Sequence, residues 1–169
     1  MPTIRIVSDM RILLLALLSL LCISCASNEK ARVTEVNIVD IKPRYIDDES
    51  FKRASEYLTG KENRGKRIIM RTDASQRDGF YFVLILDEKI RNLPAGTYIE
   101  GEFYTPKSKD KQAHSFNLPA KLSRSKEIFI GLTGEDWISE DDVPAAWRFT
   151  IKSSNGDVLA TRKSYLWSI

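Results

Sequence analysis

From Lys66 to the end of the chain the hydrophobic pattern repeats every second residue, and that period confines most of the sequence to strands. Trp147, Phe149 and Ile151 alternate with Arg148, Thr150 and Lys152; Asn155-Gly156 follows, and Val158–Trp167 returns as the partner. Asn-Gly between two such runs predicts a hairpin with a type I′ turn, both central residues at positive φ. Arg67–Thr72 reads as an earlier strand. Phe80–Leu86 is almost wholly apolar and reads as a central strand buried on both faces. Thr97–Tyr104 places Tyr98, Glu100, Glu102 and Tyr104 on one face and Ile99, Gly101 and Phe103 on the other. His114–Leu118 and Glu127–Leu132 are two further short strands.

The first half of the domain is less regular. Arg32–Ile41 reads as a strand that Pro43 ends. Asp48–Leu58 carries the one helical pattern, with Phe51, Ala54, Ser55 and Leu58 on one face, Asp48 to cap its start and Gly60 to close its end. Seven or eight short strands joined by antiparallel turn signals predict a mainly β protein, an antiparallel Ig-like β-sandwich with one short helix. A small barrel is the second choice. The Cys–Trp–Cys spacing of antibody domains is absent.

Ahead of this domain, Met10-Arg11 leads into an apolar run from Ile12 to about Ser24 that ends at Cys25. A bilayer-spanning helix needs about 20 apolar residues, so the run fits the hydrophobic region of a secretory signal better. Ala26, Ser27, Asn28, Glu29 and Lys30 are small or polar, as a tether requires. Asp9 is unusual in a signal, so translation is expected to begin at Met10. Cys22-Ile23-Ser24-Cys25 stands where bacterial lipoprotein signals carry Leu-Ala/Ser-Gly/Ala-Cys, and the segment resembles such a signal. The resemblance implies cleavage after residue 24, acylation of Cys25 and anchoring in a bilayer. Ala26, rather than Asp, after the cysteine implies the outer membrane, facing the periplasm. An ordinary cleaved signal and an uncleaved anchor remain open as other readings. The expected organisation is a signal over 1–24, lipidated Cys25 and tether over 25–31, and one β-sandwich over 32–169. A six-residue tether reaches roughly 20 Å when extended. The Ile128–Trp137 block and the Ala146–Trp167 hairpin also resemble uncharacterised bacterial envelope β-domains, which implies fold and location only.

Both cysteines, Cys22 and Cys25, lie in the signal region, so a mature chain starting at an acylated Cys25 has no disulfide and no thiol chemistry. Two of the 26 basic and one of the 23 acidic residues fall within 1–24, which leaves 24 and 22, a net charge of +2 over 145 residues. That balance gives no general case for nucleic acid as a partner. The run Lys61, Arg64, Lys66, Arg67 and Arg71 is a local basic excess, offset by Glu62 and Asp73 and expected to be a solvated face, with contact to anionic lipid or polysaccharide as the alternative.

No catalytic motif stands out. His114, the only histidine, has Ser115 and Asp110 nearby, but no Gly-x-Ser-x-Gly elbow surrounds the serine, and His114 is expected to face solvent at a strand edge. Glu135, Asp136, Glu140, Asp141 and Asp142 form an acidic loop without EF-hand spacing, expected to be solvated rather than to bind calcium. Gly131 and Gly134 lack the Gly-Lys-Ser/Thr of a phosphate loop and read as turn residues. Aromatic side chains are the better binding candidates: Trp137, expected to be the most exposed, and Tyr98 and Tyr104, expected to be half exposed on a sheet face. Trp147, in phase with Phe149 and Ile151, is expected in the core. The sequence thus predicts a non-enzymatic, membrane-anchored envelope lipoprotein that binds or scaffolds an envelope protein or polysaccharide, with no cofactor and no metal. A carbohydrate-binding module using Trp137, Tyr98 and Tyr104 is the alternative, and a small envelope hydrolase a third.

Overall fold

The computed structural model describes residues 33, 35–106, 110–137, 139 and 142–168. The signal-like run, Cys25 and the tether lie outside the described residues, as do Glu140 and Asp141 of the acidic loop. Eight strands run through the described residues: β1 (Ile38–Ile46), β2 (Ile68–Arg71), β3 (Gly79–Leu86), β4 (Tyr98–Tyr104), β5 (Gln112–Asn117), β6 (Glu127–Thr133), β7 (Ala146–Lys152) and β8 (Val158–Lys163). They form two four-stranded sheets, ordered β1-β3-β6-β2 and β5-β4-β7-β8. The fold is mainly β and sandwich-like, as the period of two requires. All pairings are antiparallel except that of β2 with β6, which is parallel from Ile68↔Ile128 to Arg71↔Gly131.

The sandwich interior follows from the alternation. Phe80, Phe82, Leu84 and Leu86 of β3 and Ile128, Ile130 and Leu132 of β6 pack with Ile99, Phe103, Phe149 and Ile151 of the second sheet. The Phe82 ring lies 5.3 Å from Phe103 and 5.1 Å from Phe149 between centroids. Burying each such side chain contributes about 1.5–3 kcal/mol. Trp147 packs against this core from its margin.

A second apolar cluster covers the other face of the first sheet: Phe51, Ile69, Tyr81, Val83 and Phe129. Strand β3 is therefore covered on both sides, which explains its unbroken apolar run. The cover comes from Phe51 of α1 (Asp48–Phe51), the first of two short helices that, with α2 (Ala54–Thr59), stand in place of the single helix expected over Asp48–Leu58. Lys52 and Arg53 have extended backbones and break it, and Asp47, not Asp48, caps the start by accepting from Ser50 N–H at 2.7 Å. The break turns Leu58 outward, 88% exposed, while Glu56 becomes the buried residue of α2. Gly60 closes α2 as expected.

Other boundaries shift for local reasons. Strand β1 starts at Ile38 and runs through Pro43, paired with Phe82, to Ile46. It is an edge strand, where a missing N–H can face outward at no cost to the ladder. The closing hairpin is present, but no non-glycine residue among those described has positive φ, so the turn is not type I′. Gly156 N–H donates to the Ser153 carbonyl, Ser153 N–H donates to the Asp157 carbonyl, and Gly156 alone takes the left-handed conformation at φ 89°. This is the three-residue loop with a bulge, and the register of β7 with β8 shifts beside it. Strand β8 ends at Lys163, short of Trp167, and a 3-10 turn covers Tyr165–Ser168.

A basic groove at the open side of the sandwich

Gly131 organises the outward face of the first sheet. It lies within β6, not in a turn, directly between Tyr81 of β3 and Arg71 of β2. A Cβ at this position would stand 2.5 Å from Tyr81 Cε1. Its absence lets the Tyr81 ring cross the strand, and Arg71 Nε donates to the Tyr81 hydroxyl at 2.8 Å. The Arg71 side chain is 1% exposed, so it is no part of a solvated basic face. Its charge is met by Glu62 at 2.8 Å, and its guanidinium lies over the Phe51 ring at 5.3 Å. Tyr81 in turn donates to the Arg77 carbonyl at 2.6 Å, and Arg77 pairs with Glu56 at 2.7 Å. Burial opposes ionisation of Glu62, but hydrogen bonds from Arg71 and Arg64 outweigh it and hold its carboxyl down at about 2. These charges neutralise one another. The cleft of about 500 Å³ beside them, flanked by Asp48, Lys52, Glu56 and Arg77, is likewise paired within itself, Lys52 to Asp48 at 2.8 Å.

The two sides of the sandwich differ. On one, Arg162 of β8 reaches across to the carbonyls of Ile38 and Val39 in β1 and closes it. On the other, β2 and β5 are edge strands of different sheets, and a groove of about 680 Å³ opens there. Its floor is apolar: Ile68, Ile69, Met70, Pro119 and Leu122. Its rim is basic: Arg64, Lys66, Arg67, Lys121 and Arg124, with no acidic residue among the described residues of the lining. Arg64 is engaged with Glu62 at 3.0 Å and caps the Ile69 carbonyl at 3.3 Å, and Arg67 rests over Phe129 at 5.9 Å. Lys66, Lys121 and Arg124 have no carboxylate partner among the described residues. The groove continues past Met70 and Asn117 into a recess of about 260 Å³ beside Ala74, Ser115 and Phe116. Ser123 Oγ donates to the Lys66 carbonyl at 2.6 Å and ties the two walls together.

The aromatic residues singled out from the sequence do not form one surface. Trp137 is 7% exposed and stacked on Tyr45 with centroids 5.2 Å apart, so its expected exposure is corrected: it belongs to the core. Tyr98 is half-buried and Tyr104 is 39% exposed, as expected of that face, but they sit at opposite ends of β4, roughly 20 Å apart. Between them Glu100 pairs with Lys152 at 2.7 Å and Glu102 pairs with Arg148 and with Lys111 at 2.6 Å. Tyr104 packs against Trp167 at 5.3 Å, and Arg148 lies over the same indole at 4.9 Å. Among the described residues, no row of free rings lies along this sheet face for a sugar to stack on.

His114 points to the inner side of β5 rather than to solvent, with Phe103 and Phe116 6.2 and 6.3 Å away between ring centroids. Its Nε2 lies 3.7 Å from Asp136 Oδ1, beyond hydrogen-bond range. Ser115, the next residue along the strand, faces the opposite way and is exposed, so the two do not form a nucleophile–base pair. Asp110 is exposed. No group of three or more histidine, aspartate or glutamate side chains among the described residues could hold a metal ion, and no described helix is long and apolar enough to cross a membrane.

The groove has no local signature in the sequence, because its two basic walls, Arg64–Arg67 and Lys121–Arg124, lie more than 50 residues apart in the chain. Their juxtaposition depends on the parallel β2–β6 pairing, for which no local pattern exists. No protein-family model, curated protein or solved structure matches this chain.

Proposed function

We propose that this chain is an envelope lipoprotein, anchored through an acylated Cys25 in the outer membrane and facing the periplasm, whose β-sandwich is a non-catalytic binding or scaffolding module. The groove between β2 and β5 is the observation that carries the binding role. An apolar floor under several cations, three of them without a carboxylate partner among the described residues, is a surface suited to an anionic, partly apolar ligand. The anchor rests on the apolar run that ends at Ser24-Cys25 and on the small and polar residues that follow it.

Metabolic labelling with an alkyne analogue of palmitate tests the anchor. Label on the wild type, absent from Cys25→Ala, is the expected result. An unlabelled wild type, or equal label on both, overturns it. On the binding side, Lys66→Glu/Lys121→Glu is expected to lose whatever anionic ligand the wild type retains when purified from envelopes. Equal retention by both proteins overturns the binding role of the groove.

A further inference from the structure

The point where the described chain begins and the basic groove share one end of the domain. Val33, where the described chain begins, donates its N–H to the Asn92 carbonyl at 3.3 Å. Next to Asn92, the Arg91 and Ile90 N–H groups donate to the carbonyls of Ser123 and Ser125, both at 2.9 Å. Ser123 is the residue whose hydroxyl holds Lys66. The point where the chain enters the sandwich is thus linked to the groove wall through two short hydrogen-bonded steps. Only seven residues lie between Cys25 and Val33, eight chain steps that span at most about 28 Å when fully extended.

We infer that the groove end of the domain docks on the bilayer that holds Cys25, with Lys66, Lys121 and Arg124 on the phosphates of anionic phospholipid headgroups. This rests on the anchor reading given above. Because Val33 lies at the groove end and only seven residues separate it from Cys25, an anchor at Cys25 turns that end toward the membrane. Its cations then come within a Debye length, about 8–10 Å, of the anionic surface. Charge complementarity supplies the attraction, roughly five-fold in the docking equilibrium for each Lys or Arg held near the surface. The apolar floor of Met70, Pro119 and Leu122 lies against the first acyl carbons beneath the headgroups. The opposite side, closed by Arg162, faces away and stays open to the aqueous compartment.

The test uses the full, lipidated protein reconstituted in vesicles of phosphatidylcholine alone or with about one-third phosphatidylglycerol. A water-soluble amine-acylating reagent is applied and each lysine is read by mass spectrometry. Lys42 on β1 and Lys163 on β8, both exposed, serve as controls away from the groove. The expected result is that Lys66 and Lys121 react several-fold more slowly in the anionic vesicles than in the neutral ones. The control lysines react equally in both, and 0.5 M salt removes the difference. Equal rates for Lys66 and Lys121 in both vesicle types overturn the docking, as does slowing that salt leaves unchanged. The same digest reports the peptide that begins at Cys25. An unmodified cysteine refutes the anchor, whereas a lipidated cysteine with unprotected groove lysines refutes the docking alone.

Discussion

Replacing Glu62 with glutamine removes the counter-charge of a buried arginine, and the cost follows from the geometry. Arg71 keeps the Tyr81 hydroxyl and the Phe51 ring but loses the carboxylate 2.8 Å away. Burial disfavours the Glu62 carboxylate, yet hydrogen bonds from Arg71 and Arg64 hold its pKa at about 2 against an ordinary 4.5. That gap corresponds to at most about 3.4 kcal/mol. Glu62 is 26% exposed, so solvent screening brings the contribution to about 2–3 kcal/mol. Because the folded pKa is depressed, this stability is fully present above about pH 4.5 and is lost as the pH falls toward 2. At pH 7, Glu62→Gln is therefore expected to lower stability by about 2–3 kcal/mol, in line with removing one partner of a buried pair. With a urea m-value of about 2 kcal/mol/M, the unfolding midpoint falls by about 1–1.5 M. Fluorescence of Trp137 and Trp147, both packed on the core, reports the transition. Arg71→Met is the discriminating companion. It removes the buried charge, leaves Glu62 on Arg64 at 3.0 Å and leaves Tyr81 on the Arg77 carbonyl at 2.6 Å, so it costs only about 1 kcal/mol. A midpoint shift under about 0.3 M for Glu62→Gln, or a larger loss for Arg71→Met than for Glu62→Gln, refutes the claim that an uncompensated buried guanidinium sets the cost.

Gly131→Ala places a methyl 2.5 Å from the Tyr81 ring and is expected to destabilise by about 1–3 kcal/mol, seen in thermal melts. Trp137→Ala empties a core position and is expected to cost about 3 kcal/mol, roughly 10 °C in Tm; a loss under about 1 kcal/mol contradicts its burial. Arg162→Ala removes the donor that closes one side of the sandwich and is expected to cost about 1.5–3 kcal/mol, with faster amide exchange confined at first to β1. Protection in β1 equal to that of the wild type contradicts that role.

The strands were legible because each carries its own period. Tyr98–Tyr104 and Ala146–Lys152 alternate between core and surface, and the run Phe80–Leu86 was right to suggest cover on both faces. What remained hidden depends on partners distant in sequence. The run Lys61–Arg71 looks uniform in charge, yet position in the pleat separates its members: Arg71 shares the outward face of β2 with Ile69 and enters the second core, while Lys66 stays on the groove rim. Gly131 looked like a turn residue because its reason for being glycine is the Tyr81 ring, 50 residues earlier. Trp137 sits among acidic residues in the sequence, but Tyr45 waits for it in space. The break at Lys52–Arg53 has no proline or glycine to announce it; beside it Phe51 packs against Tyr81, 4.8 Å away between centroids and distant in sequence.

The measurement that bears most directly on the proposal of a membrane-anchored module with its ligand surface in the β2–β5 groove is site-specific photo-crosslinking in intact cells. A benzophenone amino acid replaces Leu122 on the groove floor in one protein and Val158, exposed on β8, in another. Adducts with the mass of phospholipid from position 122, and none from position 158, are the predicted result. Lipid adducts from position 158 with none from position 122 would contradict it.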